Sequence, residues 1–115
     1  MSEDDIEQAI QAMHDSQRAA FLLSIKLKGA GDNTGATNAQ NRADRLQNEI
    51  DNTINKELNA WEASAKAIIP QLTKASSQAQ SAVDQAKQDV ANAQKVAAAM
   101  KALDQAVSLA IKFVG

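Results

Sequence analysis

Between Gln71 and Val114 the chain contains neither glycine nor proline. Over the same stretch Leu72, Ser76, Ala79, Val83, Ala86, Val90, Ala93, Ala97, Met100, Asp104, Val107, Ile111 and Val114 follow one another at alternating steps of four and three. Eleven of these thirteen positions are apolar. Steps of four and three keep one stripe on one side of an α-helix, whereas a strand would scatter the same residues over both faces. The spacing therefore predicts a helix over 71–114 with a coiled-coil-like seam. As a single rod it would be about 65 Å long, and a break near Ser76-Ser77 or at Asn92 is the alternative.

Two earlier stretches carry the same signature. Ser2, with Asp5 three residues on, reads as a helix start in which the hydroxyl accepts from orphan backbone N–H groups and the acids suit the positive end of the dipole. From there Ile6, Ile10, Met13, Gln17, Ala20, Ser24 and Leu27 form a stripe, and the helix is predicted over 3–28 with Gly29 as its left-handed stop. The next segment, "GAGDNTGAT" over 29–37, holds three of the four glycines and reads as a loop. It lacks the spacing of a phosphate cradle and no buried strand precedes it. A second helix is predicted over 37–69, with Ala43, Leu46, Ile50, Ile54, Leu58, Trp61, Ala65 and Ile68 on one face and Trp61 in the core. Its opposite face carries Asn41, Asn48, Asn52, Asn55 and Asn59, weak helix formers, so packing has to hold it. Pro70, the only proline, is expected to end that helix at Ile69 or to kink a continuous rod.

Alanine accounts for 24 of the 115 residues and aromatics for 3%, which suits closely spaced helices and starves a sheet. A chain of this length has room for one modest core. The fold class is therefore all-α: a single domain over 1–115, an antiparallel bundle of three long helices, or four if the last is broken.

The same rows bound function. Net charge is −2 with both signs interspersed, so no electrostatic footprint for nucleic acid stands out. Without cysteine there is no disulfide, no thiol chemistry and no thiolate metal site. His14 is the only histidine, and Gln11 stands where a bundle di-metal motif would place a glutamate. No nucleophile-bearing turn faces it. Catalytic, cofactor and metal residues are accordingly expected to be none, and the chain is expected not to be an enzyme. The amino terminus is acidic where a signal peptide needs positive charge, so the expected location is the cytoplasm, or export without a cleavable signal.

Asp104 stands at the centre of the last seam, where a charge costs stability unless it is partnered and can then fix register. Lys101 is the nearby candidate; the other reading is a seam that opens to solvent there.

One echo remains. "LSIKLKG" at Leu23–Gly29 recurs as "LAIKFVG" at Leu109–Gly115. With three helices running up, down and up, both runs would end at the same tip of the bundle. The plain reading is a repeated helix stop; but Leu22, Ile25, Leu109 and Phe113 fall outside the stripes, so together they are expected to form an apolar patch that binds a protein partner or a second copy, unless helix crossing or a fourth helical segment covers them. The alternative is a membrane-active bundle that opens "FLLSIKLKG" and "AVSLAIKFVG" onto lipid.

Overall fold

The computed structural model describes Met1–Gly115 and is all helix and turn: α1 (Glu3–Gly29), α2 (Asn33–Asn55), α3 (Ile68–Gln88) and α4 (Ala93–Val114), with two short 3-10 turns at Leu58–Ala60 and Ala63–Ala67. The all-α bundle expected from the sequence is present, in its four-helix form. The domain measures 46 × 21 × 17 Å, and 27-residue α1 spans most of the long axis at about 1.5 Å per residue.

The start of α1 is a capping box. Asp5 N–H donates to Ser2 Oγ at 3.2 Å and Ser2 N–H donates to Asp5 Oδ2 at 3.1 Å. Its end departs from expectation, because Gly29 is still helical and the left-handed residue is Gly31 at φ 85°. Asp32 N–H donates to Leu27 O at 2.9 Å and Gly31 N–H to Lys28 O at 3.0 Å, the paired closure of a Schellman motif. Asp32 then turns its side chain to accept from Gly35 N–H at 2.8 Å, capping α2. One residue closes one helix and opens the next, so the glycine-rich loop shrinks to Ala30–Asp32 and α2 begins four residues earlier than the predicted 37.

Helix α2 also ends early, at Asn55 rather than 69. Asparagine-bearing helix survives only where its other face packs, and beyond Asn55 the chain leaves the bundle wall. Lys56, Glu57, Trp61 and Glu62 adopt extended backbone, with ψ between 127° and 148°, interleaved with the 3-10 turns. Pro70 opens a helix here instead of ending one. It lies in the first turn of α3, where a missing N–H leaves no intrahelical bond unmade, and burial holds the preceding Ile69 at 5% exposure in helical geometry.

The last predicted rod is two helices. At Asp89 the backbone turns to φ −147° and ψ 66°, and Asn92 Oδ1 accepts from Gln94 N–H at 3.0 Å and Lys95 N–H at 3.2 Å to start α4. A single rod would outrun α1 and leave its far half without a partner. Folding back lets α4 pack on α3 and α2.

Around the bundle the order is α1, α2, α4, α3: α1 packs on α2 and α3, α4 packs on α3 and α2, and α2 and α3 lie across a diagonal. Two antiparallel hairpins thus stand side by side, with α1 parallel to α3. The α2–α3 connection has to cross the bundle end diagonally, which explains why it is long and partly extended. Trp61 is core, as expected, though from this strap and not from a helix. It is 8% exposed, with its ring centroid 4.6 Å from that of Phe113 and Lys56 Nζ 4.5 Å above it.

The core has two apolar clusters. One, at the strap end, joins Met13, Leu46, Ile50, Trp61, Ile68, Ile69, Leu72, Val107 and Phe113 with small residues. The other, at the end with the two tight turns, joins Leu23, Leu27, Val83 and Leu103 with eight alanines. Ser16 and Ser76, at 0% and 2% exposure, are buried polar residues of α1 and α3 outside both clusters. Helix α1 buries a wider face than its predicted stripe, adding Ala9, Ala12, Ser16, Ala19 and Leu23, because it packs on two neighbours.

Candidate interaction surface

The four residues expected to share one tip do not meet. Since α4 runs antiparallel to α3, "LAIKFVG" finishes at the strap end, while "LSIKLKG" finishes at the end with the two tight turns. Phe113 is 1% exposed and belongs to the strap-end cluster, and Leu109 packs partly against the same cluster. The predicted patch therefore resolves into two. Its α4 half lies at the strap end, with Phe113 interior and Leu109 partly buried, while partly buried Leu22 and exposed Ile25 lie at the other end.

The phase of α4 has the same origin. Its buried residues are Ala99, Leu103, Ala106, Val107, Ala110 and Phe113, so of the seam extrapolated through the turn only Val107 is fully inside. Ile111 is 52% exposed. The four residues between the helices, Asp89–Asn92, reset the stripe, and a four-three pattern read straight through them goes out of register. Asp104 accordingly leaves the seam and pairs with Arg42 of α2 instead of Lys101. Nε lies 2.8 Å from Oδ1 and Nη2 donates to Oδ2 at 3.0 Å, while Nη1 donates to Asn38 O at 2.8 Å. The pair is interhelical, one of its two contacts is a hydrogen bond, and Asp104 is half exposed.

At the tight-turn end, α1 buries Ala20, Leu23, Ser24 and Leu27. On an amphipathic surface helix the outward positions between them would be polar. Here three of the four are apolar, Phe21 at 47% exposure, half-buried Leu22 and Ile25 at 53%, and only Lys26 is polar. Phe21 and Ile25 stand four apart, one turn on the same face; that spacing was available in the sequence, but the stripe reading selected only Leu22 and Ile25.

Two grooves flank Ile25. One, about 460 Å³, lies between α1 and the end of α3, with Leu22, Ile25 and Val90 as its large apolar walls, Gly29 and Ala30 at its upper edge, and Lys26 and Lys87 as its only charges. The other, about 490 Å³, lies between α1 and α2, with Phe21, Ile25 and Ala36 as its apolar part and Lys28 as its only charge. The contribution of Lys87 at the end of α3 and Val90 in the turn after it is a tertiary one that no spacing along the chain announces. Lys26 and Lys28 make no ion pair, and Lys87 reaches Asp84 only at 3.9 Å.

Elsewhere the chemistry is plain. His14 Nδ1 lies 3.1 Å from Gln17 Oε1, and Gln17 in turn donates to Gln47 of α2. Gln47 donates on to Asp51 at 3.0 Å, so the imidazole belongs to an amide ladder along the α1–α2 seam. No three of the histidine and acidic residues are gathered as a metal would need, and no helix is long and apolar enough to cross a membrane. Ile54, Leu58 and Ile111, between 48% and 63% exposed, are the exposed large apolar residues of the strap end, in the last turn of α2, the strap and the last turn of α4.

Fold and surface together define an all-α bundle of two side-by-side hairpins with an apolar, lysine-flanked ridge at one end of α1. No family model, curated protein or solved structure matches the chain.

Proposed function

We propose that the chain is a non-enzymatic protein-interaction module whose contact surface is the ridge of Phe21, Leu22 and Ile25 with its two grooves. The observation that carries this reading is the co-location of exposed large apolar side chains with concave, partly apolar grooves on either side of them at the tight-turn end of the bundle. Clustered exposed apolar surface of that kind marks contact sites. In support of a non-catalytic role, the one imidazole is engaged with the side-chain amide of Gln17. The reading keeps Leu22 and Ile25 from the sequence patch and replaces Leu109 and Phe113 by Phe21 and Val90.

The test is a photo-crosslinking residue placed at Ile25, with the same residue at exposed Gln105 on α4 as the control. In the cells that make the protein, the probe at position 25 is expected to give one discrete protein adduct that the probe at 105 does not give. Adducts at both sites alike, lipid adducts only, or none at 25 would refute the reading. Lipid adducts only would instead support the membrane-active bundle.

A further inference from the structure

The geometry points to a definite occupant for the α1–α3 groove: a short amphipathic helix of a partner protein, with an apolar stripe of about two turns flanked on both sides by carboxylates. This inference rests on the interaction reading above and goes further by naming the chemistry of the partner. The backbone of the groove supplies the first reason. Most of its lining residues lie in α1 or α3, whose backbone polar groups are spent within the helices, so no sheet edge is offered for strand addition. A segment that enters must bring its own hydrogen bonds, which a helix does.

Length comes next. Leu22, Ile25 and Gly29 stand at i, i+3 and i+7 on α1 and mark about 10 Å of groove, two helical turns. Anchors at i, i+3 or i+4, and i+7 of the incoming helix match that span.

Charge selects the flanks. Lys26 stands on the α1 wall and Lys87 on the α3 wall, Lys28 lines the adjoining groove, and no carboxylate lines either, although Asp84, 3.9 Å from Lys87, lines with Asp15 and Arg18 the next hollow along the α1–α3 seam. The chain as a whole holds 14 acidic and 12 basic residues, so an all-lysine lining is a local departure from its balance. Carboxylates on each side of the incoming stripe would complete it. A second copy docked symmetrically would bring the same three lysines against themselves, because a two-fold interface pairs a patch with its own image.

A displayed library of 14-residue helices tests this. Four positions at i, i+3, i+7 and i+10 are varied among leucine, isoleucine, valine, methionine and phenylalanine, and the flanking positions are either all glutamate or all lysine. On the native chain the glutamate-flanked helices should enrich, and a selected peptide should shift the amide resonances of Leu22–Ala30 and Lys87–Val90. Lys26→Glu and the double variant Lys26→Glu/Lys87→Glu, with native helicity and melting, should weaken that peptide about tenfold or more. Enrichment of lysine-flanked helices, affinity within twofold after the double reversal, or shifts confined to other surfaces would each overturn the inference. So would stronger binding to phosphatidylserine vesicles than to any peptide. If no helix enriches while Ile25 still crosslinks a protein, the helical acidic partner is wrong and the contact surface stands. Loss of the Ile25 crosslink removes the surface itself.

Discussion

Replacing Phe113 by alanine removes a ring that is 1% exposed and stacks at 36° against Trp61, in the cluster that closes the strap end. Deletion of a buried phenylalanine costs about 3–5 kcal/mol, the transfer of the ring plus the cavity it leaves. Two residues away, Ile111→Ala trims a side chain that is already 52% exposed, so at most about 1 kcal/mol is at stake. With a urea dependence of about 2 kcal/mol per molar, the first change should lower the midpoint by about 2 M and the second by about 0.5 M or less. Because Trp61 is the only tryptophan, its emission reports the strap directly and should shift to the red in Phe113→Ala and stay put in Ile111→Ala. If the alanine variant does not fold, Phe113→Leu should give the same order on a smaller scale. Equal midpoints, or a larger loss at Ile111, would refute the placement of α4. That outcome is what an unbroken rod with its seam through Ile111 requires.

Other expectations follow from local geometry. Gly31→Ala forces an L side chain into φ 85° and should destabilise the fold by about 1–2 kcal/mol, whereas Gly29→Ala, in a helical position with nothing within 4 Å of a new Cβ, should stabilise it by about 0.5–1 kcal/mol; thermal melts of the two variants check the opposite signs. A double-mutant cycle of Arg42→Ala and Asp104→Ala should return a coupling of about 0.5–1 kcal/mol, modest because Asp104 is half exposed, while a cycle of Lys101 with Asp104 should return none. The Ser2 backbone N–H, then the Ser2 hydroxyl, then Lys66 hold the Asp5 carboxyl below its ordinary 3.8. That contribution is complete above pH 3.8 and fades as pH falls from there through the lowered value. Helicity followed against pH should therefore drop more steeply below 3.8 in the native chain than in Asp5→Asn.

Much of this protein is written locally. The four-three spacing, the alanine content and the scarcity of aromatics are properties of neighbours in the chain, and they suffice for helices and for an all-α bundle. The caps at Ser2 and Asn92, the position of the first turn within 29–37, and the burial of Leu72, Ser76, Ala79, Val83 and Ala86 on α3 follow from the same short-range signals. What spacing could not decide is which stretch of apolar pattern has something to pack against. Ile54 continues the α2 stripe yet lies 63% exposed, and Ile111 continues the extrapolated α4 seam yet lies 52% exposed.

Those outcomes belong to the tertiary structure. A helix continues while its apolar face finds a neighbour, so the long rod folds back at Asp89–Asn92 and the asparagine-rich helix ends at Asn55, although neither place holds a glycine or proline. The diagonal order of the bundle then makes Lys56–Ala67 a strap, brings Trp61 onto Phe113, and sends the two echoing runs to opposite ends. The same packing sets Lys87 and Val90 beside Leu22 and Ile25, more than sixty positions apart in sequence. Spacing along a chain fixes which side chains share a face of one helix; which faces meet is set by burial summed over all four.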